Sequence, residues 1–255
     1  MPASMFFRGG EMGNYRKRAA ERYEKMLAVT QADLPGGRKA AMRYYARNLL
    51  PHLPGDRDST ILDLGCGTGL FLEFLMRTGF SEARGLDICE EHIRACCDRG
   101  LDAELGDNLA YLGNNRGRFD CVAMNHVLEH YDKDEGLKLL EAVLESLRPG
   151  GRLIAVCPNM ANPLTAGRGR YADLTHETGY TEESIGFMMQ LAGFEEVSVR
   201  GIDIYCLSNP LANLAGKAVW AVMSSVWRIA YLVNGVRSTT VLTKNMLAVS
   251  ERPAK

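Results

Sequence analysis

An acid followed by three alternating glycines, Asp63-Leu64-Gly65-Cys66-Gly67-Thr68-Gly69, is the stretch of this chain best suited to holding a ligand. Gly65, Gly67 and Gly69 carry no Cβ, so a ligand can lie directly against the backbone there. Asp63 faces the same turn, and its charge asks for a cation or a group rich in donors. Spacing separates two nucleotide chemistries. A dinucleotide fingerprint orders its glycines G-x-G-x-x-G and seats a pyrophosphate at a helix N-terminus. Here the third glycine comes one residue early, Leu70 stands where that motif needs glycine, and Asp63 would repel a pyrophosphate. An ammonium group suits this acid better.

Other polar residues recur at the ends of apolar runs. Asp87 closes Ala83-Arg84-Gly85-Leu86-Asp87-Ile88, 18 residues past Gly69. One carboxylate at a strand end can accept hydrogen bonds from both hydroxyls of a ribose; the same residue can also cap a helix predicted over 89–99. Asp107-Asn108 follows a third short strand, where Gly-Asp-Asn is equally good turn chemistry. Asn125-His126 ends a fourth run, and His130 follows four residues after His126. Imidazole titrates near neutral pH, so His130 is a candidate general base, with a capping or packing role as the alternative. His126 and His130 share metal-like spacing, yet no H-E-x-x-H order or further ligand cluster accompanies them, and no metal site is expected. The polar stretch over 160–180 holds Asn162, Arg168, Arg170, Tyr171, Asp173, His176 and Glu177. His176 is the second candidate base. Arg168 and Arg170 suit a phosphate or carboxylate, and salt bridges within an exposed loop are the other reading.

The elements that must position these residues alternate. A short apolar run before glycines reads as a buried parallel strand, and the pattern after Gly69 as a helix over 70–77. The same alternation continues through strands over 83–88, 101–108, 119–126 and 152–159, with an amphipathic helix over 134–147. β-α-β repetition demands a parallel sheet with right-handed crossovers. Thr181-x-x-Ser184 opens a helix that Gly193 ends. Strands over 194–204 and 243–250 close the pattern. Helices over 11–34 and from Arg38 to Leu50, broken by Pro35-Gly36-Gly37, precede the first strand as a lid. Tyr15 and Arg16 could reach a bound ligand from that lid.

On Leu62-Asp63-Leu64-Gly65-Cys66-Gly67-Thr68-Gly69 and the later Leu147-Arg148-Pro149-Gly150-Gly151, the chain resembles the class I S-adenosylmethionine-dependent methyltransferases over about residues 58–202. The resemblance implies an α/β fold: a Rossmann-like, seven-stranded, mostly parallel sheet with helices on both faces and an antiparallel last strand. It implies a lid domain over 1–57 and a cofactor-binding domain over 58–255. Its cofactor is S-adenosyl-L-methionine, with Asp63, Gly65, Cys66, Gly67, Gly69, Asp87, Ile88, Asp107, Asn108 and Asn125 as the binding residues. Asp107 would meet the adenine amino group. His130 and His176 would serve catalysis beside the transferred methyl. Arg170-Tyr171-Ala172-Asp173-Leu174-Thr175-His176-Glu177 resembles a subset associated with bacterial glycan and lipopolysaccharide-type gene clusters, which implies a small-molecule or glycan acceptor methylated on oxygen or nitrogen. A quinone or lipid methyltransferase at a membrane surface, or a non-catalytic cofactor-binding module, is the alternative.

Composition agrees with one elaborated α/β domain. The chain has 255 residues, 46% hydrophobic and 24% charged, with net charge −1. That balance gives no bulk pull toward nucleic acid. Seven scattered cysteines form neither a disulfide framework nor a zinc pattern, so reduced thiols in the cytoplasm are expected. The first ten residues lack a secretory pattern. An insertion over 209–236 carries an amphipathic helix from Leu211 to Val233, with Lys217 and Arg228 too close together to flank a membrane span. Core packing, a homodimer or peripheral contact with the inner membrane face are its three expected uses.

Overall fold

The computed structural model describes residues 37–203, 209–237 and 241–254. The helix predicted over 11–34, with Tyr15 and Arg16, lies outside the described residues, as does Cys206. Among those described, the strands are β1 (Ile61–Leu64), β2 (Ala83–Asp87), β3 (Ala103–Leu105), β4 (Phe119–Asn125), β5 (Leu147–Pro158), β6 (Glu195–Gly201) and β7 (Asn245–Glu251). They form a single seven-stranded sheet in the order β3-β2-β1-β4-β5-β7-β6. β1 to β5 run parallel, and β7 runs antiparallel to both β5 and β6. The chain winds outward from β1 to β3, then returns to place β4 on the other side of β1. That reversal opens a crevice beyond the carboxyl ends of β1 and β4, where open α/β sheets bind ligands.

Helices α1 (Gly37–Asn48), α2 (Leu70–Arg77), α3 (Glu90–Cys97), α4 (Asn108–Gly113), α5 (Lys133–Ser146), α6 (Ala166–Tyr171), α7 (Glu182–Leu191) and α8 (Pro210–Val233) complete the described architecture. All four residues of β1 are buried, as a central parallel strand requires. Alternation sends Leu62 and Leu64 into one core with Val122, Leu139, Leu140 and Met189. Ile61 joins the opposite core with Phe71, Leu72 and Phe74, under α1. By the same parity Asp63 points to the α1 side. Its register partners are Gly85 and Ala123, so neither neighbouring strand crowds the carboxylate.

The differences from the sequence reading have local causes. β5 begins five residues before the predicted Arg152: Leu147 pairs with Phe119, and the register resumes at Cys121 and Arg152. Arg148 to Gly151 is a bulge held by Arg148 Nη1 on Asp120 Oδ2, at 2.7 Å. Helix α4 was not foreseen; Asp107 caps it by accepting from Ala110 N at 2.9 Å. The polar stretch over 160–180 contains α6 and pairs Asn159 with Tyr180. The Thr181–Ser184 capping box of α7 forms as expected.

Helix α8 sits as predicted between β6 and β7 in sequence, but it does not pack into the core. None of its residues is buried among the described chain. Its polar and aromatic stripe turns inward: Lys217 Nζ meets Asp203 at 2.9 Å, and Tyr231 donates to the Ala161 carbonyl at 2.8 Å. Val219, Val222, Val226, Ile229 and Val233 face outward. No helix among the described residues is long and apolar enough to cross a membrane.

Helix α1 is fastened by charge and aromatic packing. Tyr45 packs edge-on against Phe71, with ring centroids 5.1 Å apart. Glu73 on α2 is buried and paired with Arg38, Arg77 and Arg99. Burial alone would raise its carboxyl, but the three guanidiniums outweigh it and hold Glu73 below the ordinary glutamate range. A depressed carboxyl stabilises the fold above its unfolded value and loses that contribution as pH falls. Arg38 and Arg77 are 54% and 64% exposed, which screens these pairs. Glu73→Gln is therefore expected to cost about 1 kcal/mol at pH 7, well short of the ~3–5 kcal/mol of a broken fully buried pair. In thermal melts the gap from wild type should close as pH is lowered through the carboxylate range.

Candidate functional site

The glycine turn is tied down by its own backbone. Gly65 N and Cys66 N both donate to the Leu86 carbonyl, at 2.8 and 3.0 Å. Gly67 N donates to Asp87 Oδ2 at 2.8 Å. Gly65, Gly67 and Gly69 have φ of 72°, 53° and 78°, a left-handed conformation that side chains with Cβ adopt reluctantly. The space that a Cβ would need at Gly65 and Gly69 is filled by protein. A Cβ on Gly65 would come within 2.6 Å of Val127 Cγ2, and one on Gly69 within 2.6 Å of Leu101 Cδ1 and 2.8 Å of Cys96 Sγ. Close packing against neighbouring segments is thus a second reason for glycine at these two positions, beside the backbone access that a ligand would use. Cys66 turns its thiol into the gap beside Gly85, 2.7 Å from where a Cβ would stand there. Its side chain packs beneath the turn.

Asp63 stands apart. It is 1% exposed, and neither carboxylate oxygen accepts a hydrogen bond among the described residues. Burial pushes its carboxyl up to about 8; nearby Asn125 leans the other way without forming a hydrogen bond, and the Asp87 charge adds to the rise. The Asn125 amide nitrogen is itself buried and unpartnered. A carboxylate and an amide waiting at the mouth of the crevice fit the amino-acid end of S-adenosylmethionine, whose ammonium donates to carboxylates and whose carboxylate accepts from amides.

The remaining predicted cofactor residues line the same sheet edge. Asp87 is fixed from both sides: Oδ2 holds Gly67, while Oδ1 accepts from Cys89 N at 2.9 Å and meets His92 Nδ1 at 3.2 Å. The helix-start and ligand roles considered for Asp87 are compatible, since each oxygen keeps a second lone pair. Ile88 follows directly. Asp107 spends one oxygen on capping α4, and Asn108 Nδ2 donates to the Tyr131 hydroxyl at 3.0 Å. Asn108 and Tyr131 thereby join the two sides of the crevice.

The catalytic candidates come together from distant segments. His126, predicted as the last residue of the fourth strand, lies beyond it with φ 59°, and a 3-10 turn follows over Leu128–His130. The His130 and His176 rings meet edge to face, with centroids 4.9 Å apart. His130 Nδ1 lies 2.9 Å from Thr175 Oγ1, and His176 Nδ1 lies 2.6 Å from the Gly169 carbonyl. Burial holds the His130 imidazole below its ordinary value; the Glu129 charge opposes this and the His176 ring adds to it. Glu129 was missed as a functional residue because it sits in an otherwise apolar turn. It is buried, and its Oε1 lies 2.9 Å from His126 Nδ1. Burial would raise its carboxyl, but the His126 hydrogen bond and the neighbouring imidazoles hold it down as a carboxylate. The three-residue step from His126 and the one-residue step to His130 were the signals available in sequence.

Two other residues of the 160–180 stretch serve the loop itself. Arg170 donates to the carbonyls of His176 and Glu177 and stacks over Tyr171, 5.4 Å from its ring centre. Asn162 is buried, donates to the Leu242 carbonyl and accepts from Leu164 N and Thr165 N at 2.9 Å. Arg168 is exposed.

Residues 38–199 match a family described as a methyltransferase domain. A mitochondrial ubiquinone biosynthesis O-methyltransferase of Candida albicans is 37% identical over 100 residues, which are 34% of this chain and 31% of that protein. An uncharacterized 37.1 kDa protein in a transposon of Streptomyces fradiae is 33% identical over 226 residues, 84% of this chain and 60% of that one. The chain thus spans about a third of the Candida protein and less than two thirds of the Streptomyces one. Among solved structures, a SAM-dependent methyltransferase from Archaeoglobus fulgidus superposes with a TM-score of 0.65, covering 88% of this chain and 99% of that one at 21% identity. This last likeness concerns the fold.

The raised Asp63 carboxyl carries a stability signature. Its folded value lies above its unfolded one, so the fold favours the protonated form, and a penalty grows as pH rises from the ordinary aspartate range to about 8. Asp63→Asn is expected to raise the melting midpoint of the ligand-free protein by a few degrees at pH 9. That gain should fade toward pH 4 in a calorimetric pH series.

Proposed function

This chain belongs to the methyltransferase-domain family, with S-adenosylmethionine as its cofactor, and on that premise we propose that it methylates an oxygen or nitrogen of a small-molecule or glycan-like acceptor. The observation that carries the reading is the buried Asp63 carboxylate without a hydrogen bond, set at the strand-order reversal within one sheet edge of the Glu129–His130–His176 group. When bound, the cofactor supplies an electrophilic methyl on a positively charged sulfur.

The chain's own residues then align the reactants and exclude water. Asp63 and Asn125 hold the amino-acid end, Asp87 accepts from the ribose hydroxyls, and Asp107 turns its second oxygen to the adenine. Val127 packs closely against Gly65, which sets the glycine turn directly against the segment after β4. His130 and His176 stand on the acceptor side and take charge of the proton that a hydroxyl acceptor must lose. The 1–57 segment acts as the lid, its described part fastened through Glu73 and Tyr45.

The bacterial glycan-type acceptor is supported by the Arg170–Glu177 wording of the loop that carries His176. A second reading, an apolar quinone-like acceptor reached at a membrane surface, is favoured by the outward aliphatic face of α8 and by the O-methyltransferase named above. Under that reading residues 209–236 make the peripheral contact, or a homodimer contact, on the inner side of a membrane.

Calorimetry with S-adenosylhomocysteine should show binding by the wild type, weakened on the order of 10- to 100-fold by Asp63→Asn and by Asp87→Ala. Transfer of a tritiated methyl group should then be followed into nucleotide sugars, glycolipid fragments and demethylated quinones. His130→Ala and His176→Ala should lower kcat by roughly 10²- to 10⁴-fold while cofactor affinity stays within a few-fold. Cofactor binding without transfer to any acceptor class would leave a binding module; no cofactor binding at all would sink the whole reading.

A further inference from the structure

We propose that Glu129, His130 and His176 form a binding site for a divalent transition-metal ion of the zinc or cobalt type. One ligand atom from each lies within 4.8 Å of those of the other two, close enough for small side-chain rotations to close all three on one ion. The ligands come from a 3-10 turn after β4 and from a loop after β5, so only the folded chain assembles them.

Hydrogen bonding decides where the ring protons sit. A carbonyl only accepts, so His176 Nδ1, 2.6 Å from the Gly169 oxygen, is the protonated nitrogen. The Thr175 hydroxyl donates its single hydrogen to Asp173 Oδ1 at 2.6 Å and therefore accepts from His130 Nδ1 at 2.9 Å. Each neutral imidazole consequently carries its lone pair on Nε2, the form in which histidine binds metals. Metal-binding histidines are held in this way, with the far N–H bonded to a carbonyl or a carboxylate-backed group. Asp173 lies farther off, its Oδ2 3.8 Å from His176 Nε2.

Glu129 contributes the anion. Its side chain is 2% exposed; Oε1 is engaged by His126, whereas Oε2 is buried with no hydrogen bond among the described residues. Two imidazoles and a carboxylate brought together at a half-buried place are a donor set that one cation can share. Two imidazoles and one carboxylate suit zinc, cobalt, iron and manganese better than calcium or magnesium. Three protein ligands leave a coordination position open, the pattern of a catalytic rather than a structural site. With both Nε2 atoms on the ion the two imidazoles act through it rather than as bases: the ion would lower the proton affinity of an acceptor hydroxyl placed there, whose proton then passes to solvent. The metal site stands on this geometry and not on the methyl-transfer reading.

The full chain, stripped with chelator, is titrated with Co(II) and Zn(II) by calorimetry in the absence of cofactor. One ion per chain is expected, with d–d absorption for Co(II) and without the near-ultraviolet thiolate band that cysteine ligands would produce. Zn(II) should also raise the thermal midpoint of the wild type. His130→Ala, His176→Ala and Glu129→Gln should each weaken binding by at least about tenfold, while His52→Gln, remote from the group, leaves it unchanged. A folded wild type that takes up neither ion overturns the proposal. So does a thiolate spectrum, or undiminished affinity in a folded His130→Ala/His176→Ala double variant. S-adenosylhomocysteine binding measured on the same stripped sample separates failure of the metal site from failure of the cofactor reading.

Discussion

Asp63 is an ionisable group shut away from water with no hydrogen bond to its carboxyl among the described residues, and much of the surrounding structure exists to keep it there. Desolvation of a lone carboxylate opposes ionisation, which is why its carboxyl rises to about 8. Gly85 and Ala123 beside it leave room but offer no side-chain donor. The strand that carries it is central, covered on both faces and unable to shift register without exposing its leucines. A buried polar group of this kind costs the fold stability, and it is the feature on which the proposed hold on a cationic ligand rests.

The glycines have a packing task as well as the one their motif implies. With positive φ and side chains of Val127, Leu101 and Cys96 against them, Gly65 and Gly69 allow the turn to be clamped between the segment after β4, helix α3 and the residues that follow α3. The turn's amide groups at 65, 66 and 67 are spent on Leu86 and Asp87. Rigidity is the outcome: Asp63, Asp87 and the Val127 segment are coupled through main-chain bonds and steric contact, so the two sides of the crevice hold a constant spacing. Orientation of that kind is the main service a protein can render to a reaction whose electrophile arrives already activated.

Beyond the carboxyl end of β4 the polar residues form a connected hydrogen-bonded group. Asp173 orients Thr175, Thr175 orients His130, and Gly169 orients His176. Glu129 sits below them, bonded to His126, whose left-handed φ of 59° is the strained point of the turn. Backbone in that region is uncommon outside glycine and tends to gather at functional sites. The outward aliphatic face of α8 lies on a separate surface and has the opposite character, apolar and open among the described residues.

Much of the fold was legible in the sequence. Apolar strands with period-matched helices, and glycine or proline at their ends, are local signals, and they placed the parallel strands, the helix at Leu70–Arg77 and the Thr181–Ser184 cap to within a few residues. They misjudged β5, because a bulge continues pairing through a Pro-Gly-Gly run that reads as a break, and they missed α4, whose cap looked like a turn. The placement of the candidate acids was legible for the same reason: Asp63, Asp87 and Asp107 each lie at or just beyond the end of a local strand pattern. Glu129 joining two histidines was not, since His176 lies 46 residues beyond His130 and no periodicity links them. The sequence by itself determined which residues end each strand, because that depends on neighbours along the chain. Only the tertiary structure decided that Glu129, His130 and His176 meet, that Val127, Leu101 and Cys96 pack against Gly65 and Gly69, and that α8 turns its aliphatic side outward, because those outcomes depend on which distant surfaces share one volume.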